Sequence, residues 1–235
     1  PSSAAIHRCR NKHLMKQTWD ASRIPIPRFA AVERSEEAIH FFRRVDRPCV
    51  MKPFSGSGSE LVFRVDNVAD CQQVFKRIIM QLQARRAAPL YRSCKTGFSC
   101  LLIEEYIHGL EYSCDFLIQD GQVHVIRLAR KHGYHKGPLG TIEAYELGPD
   151  HSAICHGSWL EPFLLDAALA LGIDRAICMA DFMVVDNQPV FLELAPRCGG
   201  DCLPFLLKAA CGIDMLGLVL QFARGPVHDV PTSTG

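Results

Sequence analysis

The stretch from Ala180 to Arg197 constrains this chain most. Two apolar runs, Ala180–Val185 and Pro189–Ala195, flank the polar segment Asp186-Asn187-Gln188. That pattern predicts two antiparallel strands joined by a tight turn. With the turn centred on Asn187, Val185 faces Pro189, Met183 faces Phe191 and Asp181 faces Glu193. Side chains alternate between faces, so both carboxylates project to one side. Directly opposed like charges destabilise an antiparallel pair. A hard divalent cation held by carboxylate oxygens would offset them. Arg197 lies four residues beyond Glu193 and projects to the same face if the strand continues. Two acids, a metal and an arginine suit phosphate chemistry. The competing reading is one carboxylate at an exposed strand end, or a register slipped by one residue.

Residues before the hairpin supply further phosphate-binding candidates. Asn11 to Ser22 reads as a helix with Leu14, Met15, Thr18 and Trp19 on one face and Lys12 near its start. Ile24-Pro25-Ile26-Pro27 ends it, because proline cannot continue a helix. A short strand over 28–32 precedes a helix from Ser35, its expected N-cap, to about Val45. Pro48–Pro53 reads as a buried strand carrying Lys52, followed by Ser55-Gly56-Ser57-Gly58-Ser59 and a return strand over Leu61–Val65. Glycine lets loop amides approach phosphate oxygens closely. The lysine precedes the glycines, so this is not the G-x-x-x-x-G-K-[ST] phosphate loop, and a Ser/Gly loop can also be a plain linker.

Asp66-Asn67 caps a long helix reaching about Ala87, and a basic loop with Arg85, Arg86, Arg92 and Lys95 follows. Ser99–Gly109 is an apolar strand ending in Glu104-Glu105; it either emerges into water or offers a backbone edge to a nucleotide. Glu111–Ile118 and Val123–Arg130 flank an Asp120-Gly121 turn, with Glu111 expected opposite Arg130. Lys131–Gly140 reads as a basic, glycine-rich substrate or phosphate loop. Helices are expected over 159–171, 202–210 and 214–223.

Composition removes several alternatives. The chain has 235 residues, net charge +1, 48% hydrophobic and 22% charged residues. That balance gives no reason to expect nucleic acid or an anionic membrane as partner. No apolar run approaches the ~20 residues of a membrane helix. Eleven scattered cysteines, including Cys49, Cys114, Cys178 and Cys211 in apolar runs, form no C-x-x-C pair and predict buried reduced thiols in a cytoplasmic protein.

The order of these parts resembles the ATP-grasp superfamily of carboxylate–amine and carboxylate–thiol ligases, from about Asn11 to Ala223. The likeness rests on Asn11-Lys12 with Ile24-Pro25-Ile26-Pro27, on Val50–Gly58, on the hinge segment Leu102–Tyr112 and on the hairpin Asp181–Gly200. It implies an α+β ATP-grasp fold whose two α/β subdomains, each with an antiparallel sheet, clasp ATP. Residues 1–28 would be the N-terminal helical part of the core, 29–107 the lid and 108–235 the C-terminal subdomain with the metal site. The resemblance implies that Lys12, Lys52, Ser57 and Gly58 contact phosphates. It places Glu104, Glu105, Tyr106 and Ile107 at the adenine and Glu111 at the ribose. Asp181 and Glu193 would bind Mg2+, with Mn2+ as an alternative. Arg197, with Lys131 or Arg130, would hold the carboxylate or acyl phosphate.

The expected activity is ATP- and Mg-dependent amide formation from a small-molecule carboxylate and an amine, with a homodimer as an optional assembly and no nucleic acid or membrane partner. Alternatives are bicarbonate activation of the carboxylase or carbamoyl-phosphate type, and a non-catalytic ATP-binding domain of a larger protein. Two departures stand out. Ala195 replaces the Asn that many members use for a second magnesium. The family's usual N-terminal α/β domain does not precede Asn11, which points to a fragment.

Overall fold

The computed structural model describes residues 1–56, 58–85, 100–133, 139–147 and 159–232. Ser57, most of the basic loop after Arg85 and the centre of the 131–140 segment lie outside the described residues.

The chain opens with α1 (Ser3–Arg10) and α2 (Lys12–Ala21). Asn11 separates them by ending the first and accepting a side-chain bond from Leu14 N–H at the start of the second. The buried face of α2 carries Lys12, Met15, Lys16 and Trp19, so two lysines replace the expected Leu14 and Thr18. Trp19 Nε1 donates to the Ala167 carbonyl at 2.9 Å and anchors the helix.

A four-stranded antiparallel sheet follows, ordered β1-β4-β2-β3: β1 (Phe29–Val32), β2 (Cys49–Pro53), β3 (Phe63–Val65) and β4 (Leu101–Glu105). Helices α3 (Ser35–Val45) and α4 (Val68–Ala84) cover it, with Val32, Phe41, Met51, Ile78 and Ile103 in the core between. Ser35 is not the cap of α3. Arg34 occupies that position without a side-chain capping bond to the helix amides. The Glu37 carboxylate instead accepts from Glu33 N–H at 2.8 Å and pairs with Arg34, satisfying the entry to the helix another way. The return strand starts at Phe63 rather than Leu61, whose φ of 60° places it in the turn.

The second sheet has five antiparallel strands ordered β7-β6-β5-β8-β9: β5 (Leu110–Gln119), β6 (Gln122–Gly133), β7 (Ile142–Glu146), β8 (Ala176–Val185) and β9 (Gln188–Ala195). Strand β6 runs three residues past Arg130, and β7 pairs with it, so the expected loop over 131–140 is partly a hairpin. One face packs Trp19, Tyr112, Phe116, Phe182 and Phe191 under α5 (Leu160–Ala170). The other packs Leu117, Ile126 and Ile177 under α6 (Leu203–Cys211) and α7 (Met215–Arg224). Among the described residues, no single helix is long and apolar enough to cross a membrane.

Cys9, Cys49, Cys71 and Cys178 are buried thiols, whereas Cys211 is exposed near the end of α6. Burial pushes Cys9 and Cys71 from 9.0 up to about 11 and Cys49 up to about 12. A folded-state value above the unfolded one means that the native state keeps its proton longer. The associated stability is complete below the unfolded value and is lost as pH rises through the folded values. We expect the urea midpoint, measured under reducing conditions, to fall steadily from about pH 9 to about pH 11.

Candidate active site

The hairpin brings Asp181 and Glu193 opposite one another by an unexpected route. Its turn has two residues, not three. Asp186 and Asn187 have φ of 49° and 58°, the left-handed pair that a type I′ turn requires. The short turn pairs Val185 with Gln188 and Phe182 with Phe191, one residue out of the expected register. A bulge between Asp181 and Phe182 then restores the Asp181–Glu193 pairing. The extra residue, Leu192, matters because a one-residue slip sends every following side chain to the other face.

Each carboxylate has its own ammonium. Lys131 Nζ lies 3.3 Å from Asp181 Oδ2 and also binds Glu111. Lys12 Nζ lies 3.0 Å from Glu193 Oε2 and 3.5 Å from the Gly56 carbonyl. Burial, with Glu193 and Glu111 nearby, pushes the Asp181 carboxyl up despite Lys131. For Glu193, burial is outweighed by Lys12, Lys52 and Arg197, which hold it below the usual carboxylate range. Lysines on either side thus offset the like-charge opposition.

The donor set fits magnesium. That ion prefers hard oxygen and takes one or two carboxylates, filling its shell with phosphates and water. Among the described residues no cluster of three or more metal-ligating side chains occurs, so an all-protein cage is not built. Ala195, at the end of β9, adds no side-chain oxygen.

These groups line one cleft of about 680 Å³ between the two sheets. Its floor contains Lys52 and Glu104, which are buried and paired with each other. Burial raises the Glu104 carboxyl, but Lys52 and Lys16 more than offset this and hold it low. Glu105 also lines the cleft, but its carboxylate turns away from Lys52. Its carboxylate binds Arg28 at 2.8 and 3.2 Å and Arg47 at 3.4 Å. Adjacent residues on a strand face opposite ways, so only one of the two acids can turn to Lys52. The cleft also holds the apolar residues Val50, Ile107, Met183 and Leu192, with Tyr106. The Tyr106 ring carries the Arg64 guanidinium 4.5 Å above it.

The flap between β2 and β3 forms the roof. Gly58 and Ser59 have φ of 62° and 57°, and Gly58 lines the cleft. Ser59 packs against Gly140, where even a Cβ would collide with the Ser59 hydroxyl. The expected phosphate contact Ser57 lies outside the described residues.

Arg197 lines the far end of the cleft, with Nη1 donating to the Cys198 carbonyl at 2.8 Å. Lys131 lines it too, but Arg130 does not. A bulge between Asp115 and Phe116 shifts the β5–β6 register, so that Arg130 faces Tyr112. Glu111 consequently meets Lys131, and Arg130 lies 3.9 Å from Glu146 outside the cleft. Arg130, expected beside the carboxylate, is thus absent from the cleft lining, and Lys131 occupies that place.

Three features went unread in the sequence. Lys16 lies one helical turn after Lys12, fully buried, and the i,i+4 spacing among Met15 and Trp19 was the available signal. Burial lowers Lys16 to about 8 against the pull of Glu104. Arg127 and Asp115 form a fully buried ion pair at 2.7 Å. Arg127 also donates to the Ser113 carbonyl and hydroxyl, each at 3.0 Å. Asp115 accepts from Gly199 N–H at 2.6 Å, fixing the turn that follows Arg197. A lone charge inside each apolar strand was the signal here. Third, Tyr145 on β7 reaches Asp201 at 3.5 Å across the cleft mouth.

Comparison with known proteins agrees with this geometry. Residues 45–204, more than half of the chain, match the ATP-grasp domain. A D-alanine–D-alanine ligase from Acidovorax ebreus is 25% identical over 94% of this chain and 64% of its own length. An L-amino acid ligase from Bacillus licheniformis superposes with a TM-score of 0.69 at 23% identity, over 97% of this chain and 51% of that one. A biotin carboxylase from Campylobacter jejuni gives 0.73 at 18% identity, over 97% and 49%. The chain thus spans less than two thirds of the length of these relatives. The paired sheets, the cleft between them and the match over residues 45–204 lead to one assignment: the chain belongs to the ATP-grasp family.

Proposed function

We propose that this chain carries the nucleotide site of an ATP-dependent ligase that activates a small-molecule carboxylate and joins it to an amine. The observation that supports this best is Asp181 and Glu193 opposed on one face of a cleft that also holds Lys12, Lys52, Lys131 and Arg197. Asp181 and Glu193 would hold magnesium, which when bound neutralises charge on the transferring phosphoryl group.

The chain's own groups divide the remaining tasks. Lys12, Lys52 and the Gly58 amide face the phosphates. Glu104, Tyr106 and Ile107 border the adenine, and Glu111 the ribose. Arg197 and Lys131 orient the carboxylate. A carboxylate oxygen bonds to the γ-phosphorus as the bond from that phosphorus to the ADP oxygen breaks. The amine nitrogen then attacks the acyl carbon, phosphate leaves with the bonding pair, and the amine gives up a proton. Flap contacts such as Ser59 on Gly140 exclude water from the acyl phosphate, which hydrolyses if exposed.

Similarity to a biotin carboxylase supports a second reading, with bicarbonate as the acid. One assay separates the two. ADP release is followed with ATP, Mg2+ and a panel of amino acids, one carboxylate in each reaction carrying 18O. The ligase reading expects release that requires both an acid and an amine, with one 18O appearing in phosphate. Stimulation by bicarbonate alone would replace it with the carboxylase reading. Nucleotide binding with no stimulated release under any condition would leave a binding domain.

A further inference from the structure

Beneath the cleft sits a cation that the phosphate site does not use. Lys16 is fully buried in α2, and its ammonium donates to the Phe191 carbonyl of β9 at 2.9 Å. The same nitrogen lies 3.6 Å from Glu104 Oε2 on β4, just outside hydrogen-bond reach. Lys52 holds the other oxygen, Oε1. Among the described residues, Glu104 Oε2 is a buried side-chain oxygen with no hydrogen-bond partner. Such an atom is costly to leave unsatisfied, yet an ammonium with three N–H groups stands only a fraction of an ångström beyond hydrogen-bond reach.

Charge counting gives the arrangement a purpose. One carboxylate, Glu104, faces two ammonium groups, Lys16 and Lys52. Lys52 lines the cleft and can turn to a ligand, whereas Lys16 lies below it, bridging the small sheet and the large one. If Lys52 alone compensated Glu104, moving it to a phosphate would strand a buried carboxylate, which is strongly unfavourable.

We propose that Lys16 is the counter-charge that releases Lys52: as Lys52 leaves Glu104 for a nucleotide phosphate, the Lys16 ammonium closes the gap to Glu104 Oε2. Lys16 touches no nucleotide and is a positioning residue. The inference rests on the nucleotide reading given above.

The test is calorimetric titration of the full protein with a non-hydrolysable ATP analogue plus Mg2+, and separately with adenosine, which lacks phosphate. Wild type, Lys16→Met, Glu104→Gln and the double variant are compared. Lys16→Met should bind the analogue about tenfold or more weakly, because Glu104 now retains Lys52, while adenosine binding changes by less than about threefold. Adding Glu104→Gln should restore the analogue affinity to that of Glu104→Gln alone, since a neutral amide makes no claim on Lys52. A general packing role for Lys16 predicts no such rescue.

Unchanged analogue binding by Lys16→Met would overturn the proposal. So would a double variant about tenfold weaker than Glu104→Gln. That second comparison decides the matter even if Lys16→Met fails to fold, because both variants in it lack the Glu104 carboxylate and leave Lys52 in the same state at the cleft. Wild type that binds no analogue at all would overturn the nucleotide reading itself. Wild-type binding with no Lys16 effect removes only the release mechanism.

Discussion

Asp181→Ala and Glu193→Ala are each expected to lower magnesium-dependent ADP release by roughly 10²–10³-fold, the loss typical when a group aimed at developing transition-state charge is removed. The two variants should differ in stability. Asp181 is held above the usual carboxylate range by burial and by Glu193 and Glu111, so its removal relieves repulsion and leaves Lys131 paired with Glu111. Glu193 is held low by Lys12, so its removal strands that lysine, which is 9% exposed. Asp181→Ala should therefore melt close to wild type, and Glu193→Ala below it. Titration with an ATP analogue, with and without Mg2+, reads the binding side of the same prediction. Near-normal magnesium dependence in either variant would remove the pair from the metal site.

Why the acid pair could be inferred while its neighbours could not is a matter of register. The expected pairing of Asp181 with Glu193 assumed a three-residue turn and an unbroken ladder. The molecule has a two-residue turn and a bulge at Leu192, and the two differences cancel. No such cancellation occurs between β5 and β6. The Asp120-Gly121 turn is as expected, but the bulge at Asp115 moves Glu111 from Arg130 to Lys131. Bulges have no strong residue signature when the inserted position is an ordinary apolar residue, as Leu192 is. Alternation along a strand also decides which of two adjacent acids turns to Lys52, and for Glu104-Glu105 that choice follows from the long-range Arg28 and Arg47 contacts of Glu105. The two-sheet architecture was accessible because hairpin turns and apolar runs are local signals. The charge pairs beneath the cleft are long-range and need the folded chain.

The second large effect concerns stability at one of those long-range pairs. Arg127 and Asp115 are both essentially inaccessible to solvent, and neither lines the cleft. Removing one partner leaves a buried charge uncompensated, which costs about 3–5 kcal/mol. For a chain of this size each kcal/mol shifts Tm by about 2–4 °C, so Arg127→Met or Asp115→Leu should melt roughly 6–20 °C lower. The double variant should recover much of that loss, because a buried pair replaced by apolar groups of similar volume is often neutral. Function should not recover with it. Asp115 Oδ1 accepts the Gly199 amide, and Gly199 packs so closely that an added Cβ would meet Asp115, Arg127 and Leu203 at 3.1–3.3 Å. Without Asp115 the turn after Arg197 loses its anchor, so KM for the carboxylate should rise even in the well-folded double variant. Thermal melts of the single and double variants, paired with KM measurements, separate the two contributions. Recovered stability with recovered KM would mean that the ion pair serves the fold alone. Recovered stability with a raised KM ties it to the placement of Arg197.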